Sequence, residues 1–199
     1  MTAGGIVLCG GRSTRMGFPK ALLPFGSETM LQRVVRLLGT VVSPIVVVAA
    51  AGQQVPALPA GVSVARDECE GRGPLEALRV GLKALPVDVD AAYVTSCDVP
   101  MLVPAFAQRM IELASNHDIA VMEIDGFAHP LSAVYRRSTL PEVEALLAED
   151  RLRPAFLFDR VKTRRVRAEE MAAVDPQLLT LRNLNTQADY KAALESLRE

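Results

Sequence analysis

The sequence predicts a three-layer α/β/α protein: a mostly parallel central sheet covered by helices on both faces, with an antiparallel and helical C-terminal addition. Three observations predict it. Over 1–125 short apolar runs alternate with helix-patterned segments, the rhythm of βαβ units. The runs are near-continuously apolar, as strands buried on both faces require. From 126 onward the rhythm changes to a turn, a strand and short helices. We read 1–199 as a single domain, with 1–125 the ligand-binding core and 126–199 its second-substrate side and C-terminal helix.

The opening Gly4-Gly5-Ile6-Val7-Leu8 reads as the first buried strand, running into Cys9-Gly10-Gly11. Ala21 to Gly26 is a second apolar piece ended by Pro24 and Gly26. Ser27 then stands as the expected N-cap of a helix whose buried side carries Met30, Leu31, Val34, Val35, Leu37 and Leu38, ending at Gly39. Pro44-Ile45-Val46-Val47-Val48-Ala49-Ala50 is a β-branched strand, and Val62 to Ala65 a shorter one leading to Arg66-Asp67. Pro74 suits the first turn of a helix from Leu75 to Leu85. Ala91 to Ser96 is the next strand, followed by Cys97-Asp98-Val99-Pro100, a helix from Pro104 to Ala114, and a strand from Ile119 to Ile124. Gly126 to Pro130 reads as a turn and Leu131 to Arg136 as a strand, making 119–136 a hairpin or antiparallel addition. Helices are expected from Ser138 or Leu140 to Ala148 and around Pro154–Phe158, a strand near 161–166, and a last helix Gln187–Leu197 capped by Thr186.

Composition excludes several classes. Half of the 199 residues are apolar and the formal net charge is −1, so gripping nucleic acid by its backbone is not the main business. Three cysteines in no C-x-x-C pattern do not form a disulfide framework, which points to a reducing, cytoplasmic setting. Met1-Thr2-Ala3 gives no charged start to a signal peptide, and each apolar run is interrupted before membrane-spanning length, so no membrane association is expected.

The chemistry-bearing residues sit where strands end. In parallel sheets ligands bind at the carboxyl ends of strands, and Gly10-Gly11, Asp67 and Asp98 all follow predicted strands. Glycines let a backbone approach a ligand closely, and Arg12, Arg15 and Lys20 add positive charge, the combination that holds a phosphate chain. The spacing is neither the G-x-x-x-x-G-K-[ST] loop nor G-x-G-x-x-G. Asp98 suits Mg²⁺ beside a triphosphate, or a cap for the next helix. Asp67 suits a base or ribose, or a turn. Lys20 suits charge neutralisation as pyrophosphate leaves, or solvent. Asn183 and Asn185 point the same way on an extended segment, to read a ligand or to cap the final helix. His129 has no partner at metal-ligand spacing, and Arg164, Arg165 and Arg167 read as a solvated face.

Leu8-Cys9-Gly10-Gly11-Arg12-Ser13-Thr14-Arg15-Met16-Gly17-Phe18-Pro19-Lys20 resembles the L-x-G-G-x-x-x-R-M-G-x-x-K signature of Rossmann-like nucleotidyltransferases. Gly73-Pro74-Leu75, Cys97-Asp98-Val99-Pro100, His129-Pro130-Leu131 and Asn183-Leu184-Asn185-Thr186 resemble, in order, segments of the molybdenum cofactor guanylyltransferase family. The resemblance implies GMP transfer from GTP to the phosphate of a molybdenum-pterin cofactor, with Mg²⁺ and release of pyrophosphate. It implies transient contact with cofactor-synthesis and molybdenum-enzyme proteins. Carried over by position, Leu8, Cys9, Gly10 and Gly11 would hold the nucleotide, Arg15 and Lys20 its phosphates, and Asp67 the nucleoside. Asp98 would hold both Mg²⁺ and nucleotide, and Asn183 and Asn185 would lie toward the pterin; Arg15, Lys20 and Asp98 would be the catalytic set. Cys9 replaces a usual Ala, and the family's frequent Asn after the second strand has no counterpart in Ala50-Ala51-Gly52-Gln53. Phe18-Pro19 resembles relatives that use CTP or sugar phosphates, whereas Gly11 resembles guanylyl enzymes. A silent nucleotide-binding subunit is the remaining alternative, against which Lys20 and Asp98 both stand.

Overall fold

The computed structural model describes residues 1–10, 18–69 and 71–197. Nine strands and five helices are formed among these: β1 (Ala3–Leu8), β2 (Pro24–Phe25), β3 (Glu28–Thr29), α1 (Met30–Leu38), β4 (Ile45–Ala50), β5 (Val62–Asp67), α2 (Gly73–Ala84), β6 (Ala91–Ser96), α3 (Pro104–Leu113), β7 (Ile119–Ile124), β8 (Phe127–Arg136), α4 (Leu140–Ala148), β9 (Thr163–Val166) and α5 (Gln187–Glu195). Seven strands make one sheet in the order β5-β4-β1-β6-β8-β7-β9. Pairing is parallel throughout except on both sides of β8, the single strand running against the rest. The three-layer, mostly parallel fold is as expected. The hairpin expected over 119–136 is formed by β7 and β8, and its second strand lies inside the sheet, between β6 and β7.

Successive strand residues point to opposite faces and so build two cores. Val7, Val47 and Tyr93 pack with Leu31 and Val34 of α1 and Phe106 and Met110 of α3. Ile6, Leu8, Val46 and Val48 pack under Leu75, Leu78 and Leu82 of α2 and Val143 and Leu146 of α4. Helix α2 lies so close to β1 that a Cβ on Gly81 would stand 2.7 Å from Ile6 Cγ2. Residues beyond 126 thus share the cores of the first half, and a small group (Phe25, Met30, Leu184, Ala193) ties α5 to β2 and the start of α1.

Local differences from expectation have local causes. Ser27 does not cap α1. With Gly26 at φ +70° it lies between β2 and β3, and Thr29 is the cap, accepting from Gln32 N at 3.3 Å while Gln32 Oε1 accepts from Thr29 N at 2.9 Å. This Thr-x-x-Gln box contributes about 1 kcal/mol. The turn before β8 is confined to Asp125 and Gly126, both at positive φ, so His129 and Pro130 belong to the strand. Pro130 lacks an N–H and falls where the β7–β8 register shifts, between Val121↔Ala133 and Met122↔His129. The helix expected at Pro154–Phe158 is a 3-10 turn, Pro154–Leu157. Helix α5 has Thr186 as its cap, as read from sequence. No helix among the described residues is long and apolar enough to cross a membrane.

Candidate active site

Strands β5, β4, β1 and β6 run in one direction, so their carboxyl ends share one edge of the sheet. Asp98 lies two residues past β6 and is the centre of the polar contacts there. Its Oδ2 accepts from Lys20 Nζ at 2.8 Å. Its Oδ1 accepts from Asn183 Nδ2 at 2.9 Å and from Ser96 Oγ. Lys20 Nζ also donates to Asn185 Oδ1 at 2.8 Å. The segment carrying both asparagines is held by Leu184 N donating to Asp98 O at 2.8 Å. Being two apart on extended chain, the asparagines face the same way, one onto the carboxylate and one onto the ammonium. Lys20 and Asp98 are only 16% and 14% exposed, and such a shielded pair attracts more strongly than a surface pair.

These contacts exclude the capping alternatives. Asp98 does not cap α3: the cap position is Val103, whose N–H donates to Thr180 Oγ1 at 3.0 Å. Asn183 and Asn185 do not cap α5 with their side chains; Thr186 and Asp189 do. Lys20 is not a solvated loop lysine. Ser96 was not expected in the site, although its two-residue spacing from Asp98 was a usable signal.

Leu8 and Cys9 are buried in opposite cores, so what they offer a ligand is backbone. Burial pushes the Cys9 thiol up to about 12, opposed by the Arg66 charge, and pushes the Cys97 thiol up as well. Both therefore stay protonated as small core residues. Gly10 is exposed just past β1. Gly11, Arg12 and Arg15 lie outside the described residues. The loop Gly71-Arg72-Gly73-Pro74 leads into α2, with Gly73 at φ +70°, a conformation that favours glycine, and Pro74 in the first turn.

Asp67 is not bonded to the Lys20–Asp98 cluster. It ends β5, three strand steps and about 14 Å from β6, and its Oδ1 accepts from Cys69 N at 3.0 Å. Its carboxylate, Cys69 Sγ and the Glu76 carboxylate lie within 4.8 Å of one another, with Glu76 paired to Arg79 at 2.5 Å. Between the two ends stands a bridge that went unread in the sequence. Gln53 Nε2 donates to Cys9 O at 2.8 Å and its Oε1 accepts from Ala50 N at 3.1 Å. Arg66 Nη1 donates to Ala50 O and Gln53 O, at 3.2 and 2.7 Å. His129 lies on β8, which enters the sheet from the same edge; burial holds its imidazole below 6.5 and thus neutral. Arg164 and Arg165 pair with Glu170 and Glu123, a solvated face as expected.

A doubly covered, mostly parallel sheet with the exposed Gly10, a lysine and a carboxylate at its strand ends is the arrangement of α/β proteins that bind nucleotides at the carboxyl edge of the sheet. The family model described as the MobA-like NTP transferase domain matches residues 5–165, and the chain belongs to that family: it is a nucleotidyltransferase. A "Probable molybdenum cofactor guanylyltransferase" of Mycobacterium ulcerans is 37% identical over 192 residues, covering 94% of this chain and 91% of the relative. A protein of the same name from Carboxydothermus hydrogenoformans is 30% identical over 195 residues, covering 97% and 96%. The solved structure of molybdopterin-guanine dinucleotide biosynthesis protein A from Archaeoglobus fulgidus shares the fold, with TM-score 0.80 at 19% identity over 100% and 99% of the chains.

Proposed function

We propose that this protein transfers GMP from GTP to the terminal phosphate of a molybdenum-pterin cofactor, giving the guanine dinucleotide cofactor and pyrophosphate. The reading is carried by the Asp98 cluster: a lysine, a carboxylate and two asparagines joined at the carboxyl end of β6. Support also comes from relatives at 30–37% identity whose names state this activity.

In the proposed reaction an oxygen of the pterin phosphate forms a bond to the α-phosphorus of GTP. The bond from that phosphorus to the bridging oxygen breaks, and pyrophosphate leaves with the electron pair. Little covalent work falls to the protein; orientation and charge stabilisation carry the rate. Gly10 and Gly11 offer backbone N–H groups to the phosphates, and Arg15 and Lys20 neutralise them. Lys20 is aimed by Asp98 and Asn185, so its charge needs little reorganisation when negative charge develops on the leaving group. Asp67 serves the nucleoside, and Asn183 and Asn185 face the pterin side.

The donors at Asp98 fit Mg²⁺: a carboxylate, the Ser96 hydroxyl and asparagine carboxamides are hard ligands, and one carboxylate with waters and phosphate oxygens is its usual set. When bound there, the ion supplies Lewis-acid neutralisation of phosphate charge. A structural relative solved as a manganese complex supports a divalent ion in this fold. Incubating the protein with the purified cofactor, Mg²⁺ and each nucleoside triphosphate tests the reading. Dinucleotide and pyrophosphate are expected from GTP; product from CTP alone, or from none, would overturn it.

A further inference from the structure

The bridge at Gln53 and Arg66 borders a cavity of about 680 Å³, lined by Leu22, Gln53, Arg66 and Glu68 among others. Three features place a nucleobase there. Lys20 and Leu22 belong to one 3-10 turn, so the lysine reaches Asp98 while Leu22, on the same turn, offers an apolar wall to the cavity. The cavity floor is fixed: Gln53 ties the end of β1 to the end of β4, and Arg66 of β5 holds the carbonyls of Ala50 and Gln53. Finally, extended residues alternate in direction, which puts Arg66 and Glu68 on one side and Asp67 on the other. Asp67 accordingly turns to Cys69 and to Glu76 of α2, whereas Arg66 and Glu68 line the cavity.

We infer that the Glu68 carboxylate is the group that selects guanine, reading the base inside this cavity, with Gln53 and Arg66 positioning the cavity floor. Guanine presents two adjacent donors, N1–H and the N2 amino group, and a carboxylate presents two adjacent acceptors that match them. Cytosine presents the N3 and O2 acceptors on the same edge, which a carboxylate repels. Gln53 Nε2 already donates to the Cys9 carbonyl. Among the described lining residues the strongest remaining acceptor is therefore the Glu68 side chain and not that backbone oxygen. This inference rests on the GTP reading above and adds the residue that makes the choice.

The test uses xanthosine triphosphate, in which a carbonyl replaces the guanine amino group. Its N1–H and O2 match a carboxamide and not a carboxylate. Transfer to the molybdenum-pterin cofactor and equilibrium binding of each nucleotide are measured for the wild type, Glu68→Gln and Asp67→Asn. The wild type is expected to prefer GTP over XTP and CTP. Glu68→Gln is expected to lose GTP binding by about 10–100-fold and to take XTP in preference, while Asp67→Asn weakens all three nucleotides alike and leaves their order unchanged. A GTP-selective wild type whose Glu68→Gln variant keeps its ranking, or an inversion produced by Asp67→Asn instead, would overturn this inference alone. A wild type that prefers CTP would overturn it together with the proposed function.

Discussion

The two ends of the site are built in opposite ways. The Asp98 end is assembled from segments far apart in the chain: the Lys20–Asp98, Asn183–Asp98 and Lys20–Asn185 contacts span 78, 85 and 165 residues. The Asp67 end is nearly contiguous, with Ala50, Gln53, Arg66 and Asp67 on two neighbouring strands and the loop between them, and Glu68 the next residue in the chain. Its strand, β5, is the sheet edge, and several of its residues are exposed. On the proposed function, the fixed charges that all nucleotidyl transfer needs are held by long-range cross-links, and the choice of base is made locally at an edge, where a substitution or a change in loop length disturbs little else.

If that contrast holds, damage at the two ends should differ in kind. Asp98→Asn removes the charge at the centre of the cross-linked end, and turnover is expected to fall by about 10²–10³-fold or more. Binding of Mn²⁺, followed by titration, is expected to fall with it, and the thermal transition to stay near that of the wild type. Near-normal turnover would show that the network at Asp98 is structural only. A smaller effect is expected from Asn185→Ala, which leaves Lys20 its bond to Asp98 but removes the second anchor. We expect roughly a tenfold loss in kcat, with the ranking of nucleotides unchanged; a changed ranking would join the two ends that the comparison separates.

The smallest effect concerns stability and pH. Burial lowers the His129 pKa in the folded protein below its ordinary 6.5. Below 6.5 the unfolded chain therefore binds the proton more readily, and stability is lost as pH falls through that window. His129→Gln should flatten the drop in thermal transition between neutral pH and about pH 5.5. An unchanged slope would mean that His129 is not the group responsible.

Most of the layered architecture was legible because burial imposes periodicity. Runs such as Ile45-Val46-Val47-Val48 are apolar on both faces only in a doubly covered sheet, and Thr186 ahead of Asp189 announces a helix start. What escaped reading depended on pairing. That β8 inserts between β6 and β7 is a matter of strand order, on which a hairpin sequence is silent. That Thr29 displaces Ser27 as the cap follows from the small β2–β3 hairpin, whose turn takes up Ser27.

The candidate site divides along the same line. The amino-acid sequence by itself determined which residue types stand at strand ends: glycines after β1, Asp67 at the end of β5, Asp98 after β6 and the paired asparagines before α5. Only the tertiary structure decided how they combine. It joined Lys20 to Asp98 and Asn185, turned Asp67 toward α2, and set Gln53 across the ends of β1 and β4. The physical reason is that hydrophobic periodicity is a local signal written into every strand and helix, whereas a hydrogen bond between residues 165 apart exists only after the chain has packed.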